Sequence, residues 1–301
     1  MSACLPPLRH PVRTIGACTF DFSRQIAIMA VVNRTPDSFY DRGATFALDQ
    51  AVQACLAAAA RGADWIDIGG VPFKPGPPLP VEEEIARVVP VVEALRRESD
   101  VVISVDTFDA EVARHAIAAG ADVINDTTGI HDPGLAEAVA DSDATLVITH
   151  SLAAPRTVYP RPQYDDVVDE VVSFLRDRAA FAVSLGVPEE RLIVDPGHDL
   201  NKNTLHSLEV TRRFDEIAAI GLPALAAVSN KDFIGETLDA ERSERLEGSL
   251  AAAVFCITQG ARIVRMHNVR ESVAAVRMTE AILGFRQPAY LKHNMGDFNE
   301  E

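Results

Sequence analysis

Short, nearly continuous apolar runs alternate along the chain with longer stretches of helical period. The runs are IAIMAVVN (26–33), WIDIGG (65–70), VVISVDT (101–107), DVINDT (122–127), TLVITHS (145–151), RLIVDPG (191–197), PALAAVS (223–229) and RIVRMH (262–267). Most are rich in β-branched residues and each is closed by polar residues or glycine, which is how a strand buried on both faces of a parallel sheet reads. Helical patterns lie between them, over 47–61, 81–97, 109–119, 133–141, 165–186, 203–219, 241–260 and 270–284. Two of these run out in ARGAD and AAGAD, placing a glycine where a helix end needs left-handed backbone. Eight strands, each followed by a helix, predict an α/β chain folded as a single (β/α)8 TIM barrel over 26–286. Residues 1–25 are expected as a short N-terminal extension, a small hairpin closing the barrel bottom, and 287–301 as a loose polar tail.

Composition changes this picture little. The 301 residues are 48% apolar and 24% charged, ordinary for a soluble globular protein. A net charge of -16 argues against nucleic acid and anionic membrane as general partners, and leaves room for a small anion in a local cationic pocket. Cys4, Cys18, Cys55 and Cys256 are scattered without metal-type spacing, so reduced thiols and a cytoplasmic setting are expected. The first 20 residues hold prolines, arginines and a histidine where a secretory signal would be apolar, and no apolar run is long enough to span a membrane.

The strand ends carry the candidate chemistry. They are Asn33, Asp67, Asp106, Asn125, His150, Asp195, Ser229 with Lys231, and Arg265 with His267. In a barrel these ends converge on one face, where such folds place their active sites. Helix capping accounts for Asp106–Thr107 or Asn125–Asp126 singly. It does not account for all eight ends, nor for Lys231 and Arg265. Asp106, Asn125, Asp195 and Lys231 suit the edge of a flat heterocycle bearing amino and carbonyl groups, because a carboxylate accepts bidentately from an N–C–N edge while amide and ammonium serve a carbonyl. Arg265 and His267, two apart on one strand, point to the same side and with Asn33 suit a phosphate or pyrophosphate.

At these residues the chain resembles dihydropteroate synthase, from about Ile26 to Phe285. The matching pieces are NRTPDSFYDRG, DIGG…KPG, SVDTFDAEVARHAIAAGADVINDTTG, IVDPGHDLNKNTLHSLEV, SNKDFIGETLDAERSERLEGSLAAA and IVRMHNV. The resemblance implies a (β/α)8 barrel that binds 6-hydroxymethyl-7,8-dihydropterin pyrophosphate, whose methylene carbon is attacked by the amine of p-aminobenzoate. It implies that Asp106, Asn125, Asp195 and Lys231 hold the pterin, that Arg265 and His267 meet the phosphates, and that Asn33 lies near Mg2+. It also implies a homodimer formed through the last helices.

The second loop departs from that pattern. DIGGVPFKPGPPLP holds Val71, Pro72, Phe73 and Lys74 where the family has Glu, Ser, Thr and Arg. Phe73 donates no hydrogen bond, and Lys74, the remaining anion-binding candidate there, lacks the planar fork of arginine. His198, Asp199, Leu200 and Asn201 follow the DPG strand where the family has aromatic and small residues, Asn230 replaces an arginine, and Arg34, Tyr40 and Arg42 alter the first loop. The expectation is a dihydropteroate-synthase-like second paralogue, of actinobacterial-type composition, that binds a pterin or sulfone-type ligand with little or no synthase activity. An active synthase with unusual loops, or a different enzyme on the same barrel such as a Lys231 Schiff-base aldolase, are the alternatives. Trp65 reads as core, His115 and His206 as surface or capping groups, and His150 as a residue of the pocket floor without an assigned role.

Overall fold

The computed structural model describes residues 5–33, 44–71, 76, 77, 79–155, 157, 159 and 161–294, with backbone alone at 33 and 44–47. Eight parallel strands close a barrel: β3 (Ala27–Asn33), β4 (Trp65–Gly69), β5 (Val102–Asp106), β6 (Val123–Asp126), β7 (Thr145–Thr149), β8 (Leu192–Asp195), β9 (Ala224–Ala226) and β10 (Ala261–Met266), with β10 returning to β3. The fold is the expected TIM barrel. Each predicted apolar run holds one strand, β10 beginning one residue early at Ala261.

Two strands precede the barrel. β1 (Val12–Ile15) and β2 (Cys18–Asp21) form an antiparallel hairpin. Phe20 and Phe22 stack at 5.6 Å between ring centroids, and Phe20 meets Trp65 edge-on at 5.8 Å. Ile15, Phe20, Phe22 and Trp65 share one buried cluster with Ala27, Met29, Val102, Val123, Val147, Ile193, Leu225 and Ile263. The hairpin therefore plugs the lower end of the barrel, and Trp65 is core as its position suggested.

A second cluster lies between the barrel and its helices. These are α1 (Ala44–Ala60), α2 (Val81–Glu98), α3 (Ala110–Ala118), α4 (Pro133–Ala140), α5 (Val167–Ser184), α6 (Thr204–Arg212), α7 (Phe214–Ala218), α8 (Asp232–Leu238), α9 (Leu246–Thr258) and α10 (Val269–Ile282). On α2, Val88, Val91, Val92 and Leu95 are fully buried at the spacing of one helix face. Gly62 and Gly120, at the ends of α1 and α3, take φ of 98° and 109°, the left-handed backbone inferred from ARGAD and AAGAD.

The structure corrects two helical expectations. The single segment 203–219 is two helices broken at Arg213, whose guanidinium gathers Asp166 at 2.8 Å and Glu216 at 2.7 Å while Phe214 turns fully into the core. Helix α8 was not anticipated, since its 7 residues are too few to show a period. Among the described residues no helix is long and apolar enough to cross a membrane.

Candidate functional site

Alternation along the strands builds the site. Side chains two apart on a strand share a face, so the plug residues define the inner face of the barrel. Two residues above Met29, Trp65, Val102, Val123, Val147, Ile193, Leu225 and Ile263 stand Val31, Asp67, Ser104, Asn125, Thr149, Asp195, Ala227 and Arg265. An apolar layer is thus overlaid by a mostly polar one. Above that come Asp106 at the end of β5, Ser229 and His267 just past the ends of β9 and β10, and Asn33 at the end of β3.

Asp67 organises the polar layer. It is fully buried and accepts from Ser104 Oγ at 2.6 Å, from Arg265 Nε at 2.7 Å and from Asn125 Nδ2 at 3.3 Å. Arg265 also reaches Asp106 Oδ2 at 3.3 Å. A carboxylate only accepts, so the Asn125 amide must turn its NH2 to Asp67, and Asn125 Oδ1 is left buried with no partner. That oxygen can serve as an acceptor for a donor other than Asp67. Asp195, 4% exposed, accepts from the Gly197 backbone N–H at 2.7 Å.

The charges are mutually compensated. Burial pulls the Arg265 guanidinium down, but the Asp67 and Asp106 carboxylates outweigh it and hold the group above its ordinary value. Burial and the Asp67 carboxylate push Asp106 up to about 7, against the pull of Arg265. Burial also raises Asp195, against Lys231 and Arg265. Lys231 is lowered by burial, with Asp199, Asp195 and Asp106 pulling it back up. His267 accepts or donates to Ser229 Oγ at 3.0 Å and is lowered to about 4 by burial and by Arg265, so it is neutral at pH 7.

Asp106, Asn125, Asp195, Lys231, Arg265 and His267 therefore do converge on the barrel mouth. Phe73, Lys74, Arg34, Tyr40, Arg42 and the side chain of Asn33 lie outside the described residues. Capping does not explain the strand ends: the caps of α3 and α4 are Asp109 and Asp132, whose side chains accept from Glu111 and Val112, and from Gly134. His150 is corrected. It faces away from the pocket, edge-on to Phe174 at 4.8 Å, and its Nδ1 meets Lys202 Nζ at 2.8 Å. The inward residue of that strand is Thr149. Ser104, Thr149 and Lys202 were passed over, and Asp67 had no assigned role. Period-two counting from the apolar layer finds Asp67, Ser104 and Thr149. Lys202 has no such signal.

The loop after β8 is tied down by side chains. Asp199 and Asn201 have φ of 64° and 50°, a backbone that Asn and Asp tolerate better than other residues with a Cβ. Asp199 Oδ2 accepts from Asp232 N at 2.6 Å, and Ser207 Oγ donates to its Oδ1 at 3.1 Å. Asn201 Oδ1 accepts from Ser151 Oγ at 3.0 Å, Leu152 N at 2.7 Å and Ala153 N at 3.2 Å, joining this loop to the one after β7. Lys202, 7% exposed and lowered to about 7 by burial, donates to the Gly197 and Leu200 carbonyls at 3.1 Å each. Asn201→Ala is expected to cost about 2 kcal/mol, roughly half from the lost acceptor and half from left-handed strain. Asn201→Gly should cost about 1 kcal/mol, because glycine removes the strain. Urea unfolding of the two variants checks the order.

The fold and this site define a pterin-binding barrel, and the comparisons agree. Residues 29–267 match the family model described as pterin binding enzyme, and the chain belongs to that family. It is 48% identical over 267 residues to the inactive dihydropteroate synthase 2 of Mycobacterium leprae, covering 87% of this chain and 92% of that protein. It is 40% identical over 261 residues to the dihydropteroate synthase of Escherichia coli K12, covering 86% and 93%. The Xanthomonas albilineans dihydropteroate synthase solved with 4-aminobenzoic acid superposes with a TM-score of 0.84 at 37% identity, covering 91% of this chain and 98% of that one.

Proposed function

We propose that this chain is a pterin-binding protein of dihydropteroate-synthase type in which condensation of 6-hydroxymethyl-7,8-dihydropterin pyrophosphate with p-aminobenzoate is absent or very weak. One observation carries the reading: Asp106, Asn125, Asp195 and Lys231 stand together at the mouth, while among the described residues the Arg265 guanidinium beside them is already engaged by carboxylates. Asp195 is suited to accept from the amino and ring N–H of a pterin, Asn125 Oδ1 to accept from another N–H, and Lys231 to donate to the ring carbonyl, with Asp106 lining the same edge. Arg265, by contrast, is held by two carboxylates, and the His267 ring is neutral at pH 7. Phe73 and Lys74 supply neither the hydroxyl nor the guanidinium of the family loop. The name of the Mycobacterium leprae relative supports the same reading.

In the family reaction the amine nitrogen forms a bond to the methylene carbon, the carbon–oxygen bond to pyrophosphate breaks, and the amine loses a proton. The residues of this chain would bind and orient the ring. Among the described residues, Arg265 is already paired with Asp67 and Asp106 and so offers the leaving group little free charge. Among the described residues no group of three His, Cys, Asp or Glu could hold a metal. Mg2+ ordinarily keeps waters and phosphate oxygens with one or two protein ligands, so it would arrive with the pyrophosphate, Asn33 being the protein's contribution and charge neutralisation its chemistry. A homodimer through the last helices is supported by Phe255, Met278 and Ile282, apolar residues of α9 and α10 that are 41%, 62% and 72% exposed. The cytoplasm, with its reduced thiols, remains the proposed location.

Pyrophosphate release from dihydropterin pyrophosphate and p-aminobenzoate with Mg2+ tests this. The wild-type protein is expected to run at least about 10²-fold below a working synthase, the effect of losing even one transition-state donor. Turnover at ordinary rates overturns the reading. Activity gained by Phe73→Thr/Lys74→Arg would locate the defect in that loop, and silence from both would mean that the compensated cations also matter.

A further inference from the structure

We infer that Thr149 is a further specificity-determining residue, its hydroxyl reading an N–H or carbonyl on the edge of the flat heterocycle. This rests on the pterin-binding reading of the mouth and deepens it. In the inner polar layer Thr149 stands between Asn125 on β6 and Asp195 on β8, and it pairs with Asp195 in the β7–β8 register. It is 1% exposed, and its Oγ1 has no hydrogen-bond partner among the described residues. Thr149 Cγ2 faces the loop after β8, where a Cβ added to Gly197 would come within 3.2 Å of it. The methyl is thus packed and the hydroxyl is left over.

A buried hydroxyl without a partner is costly, and valine would fill the same volume without that cost. The neighbouring orphan is Asn125 Oδ1, which can only accept. Thr149, two residues above the partner of Asn125 in the β6–β7 register and opposite Asp195 across β7–β8, completes a staggered row of two fixed acceptors and one group able to donate or accept. That row matches a heterocycle edge on which N–H and carbonyl groups alternate. It does not match an apolar ring or a phosphate.

The test is calorimetric titration of the full chain with 6-hydroxymethyl-7,8-dihydropterin, comparing wild type, Thr149→Val and Thr149→Ser, with thermal unfolding of each protein without ligand. Loss of one buried hydrogen bond is expected to weaken binding by Thr149→Val about 5- to 20-fold, while Thr149→Ser stays within about threefold of wild type. Without ligand, Thr149→Val should melt at or above the wild-type temperature, because an unsatisfied group has been removed. Binding by Thr149→Val equal to wild type overturns the inference and leaves the site reading standing. A large drop in its melting temperature also overturns it, since the hydroxyl would then be structural. No binding by the wild-type protein overturns the site reading and this inference together.

Discussion

Asp67→Leu is expected to remove about 3–5 kcal/mol of folding stability, the cost of breaking a buried ion pair from one side. The carboxylate is fully buried and is the common acceptor of Ser104, Asn125 and Arg265. Without it the Arg265 guanidinium, 18% exposed at its side chain, keeps one ion pair among the described residues, Asp106 at 3.3 Å, with Asp195 acting at longer range. The Ser104 hydroxyl and the Asn125 amide lose their acceptor in the same step. Arg265→Leu alone should also be costly, because it leaves Asp67 buried and charged. The double variant Asp67→Leu/Arg265→Leu should be far less destabilised than the sum, since a matched apolar pair carries no stranded charge. Urea unfolding of the four proteins measures this. Additive losses would show that the two residues are not energetically paired. Pterin affinity should fall in the variants that lack Asp67, because Asn125 is then free to turn.

The second large effect is on the pH dependence of ring binding. Asp106 is pushed up to about 7, first by burial and then by the Asp67 carboxylate. Below that pH it carries a proton and cannot serve as a charged acceptor for a ring N–H. Affinity should therefore rise about tenfold per pH unit between roughly 5 and 7, and level off above. The sign for stability is opposite. The unfolded carboxyl, at its ordinary value of 3.8, releases its proton first, so the native state holds the extra proton between about 4 and 7. Across that window the contribution of Asp106 to the ligand-free fold declines as pH rises. Calorimetric titrations at several pH values should show the affinity slope in the wild-type protein and a flat profile in Asp106→Asn. A slope that survives in Asp106→Asn would overturn the assignment of the titration to Asp106.

Much of this was legible from residues alone. The order of strands and helices follows from local apolar period, and a βα repeat of eight units admits few topologies other than a closed barrel. The convergence of Asp106, Asn125, Asp195, Lys231, Arg265 and His267 follows from that topology, because the same end of every strand opens on one mouth. The altered Phe73–Lys74 loop is a matter of identity at a position and needs no coordinates to be seen.

The partnerships are different. Asp67 and Arg265 are 198 residues apart, and nothing local to either shows that one neutralises the other. The inward place of Thr149, and the outward place of His150 against Phe174 and Lys202, depend on strand parity, which apolar runs buried on both faces conceal. The break at Arg213 and the short helix Asp232–Leu238 come from contacts across the fold and from a length below one clear period. Residue order and type are enough to dictate the barrel, the face that carries the chemistry and the groups on that face. Which charges are compensated and which polar atoms remain for a ligand emerges only on folding, because both depend on distances between strands that are remote along the chain.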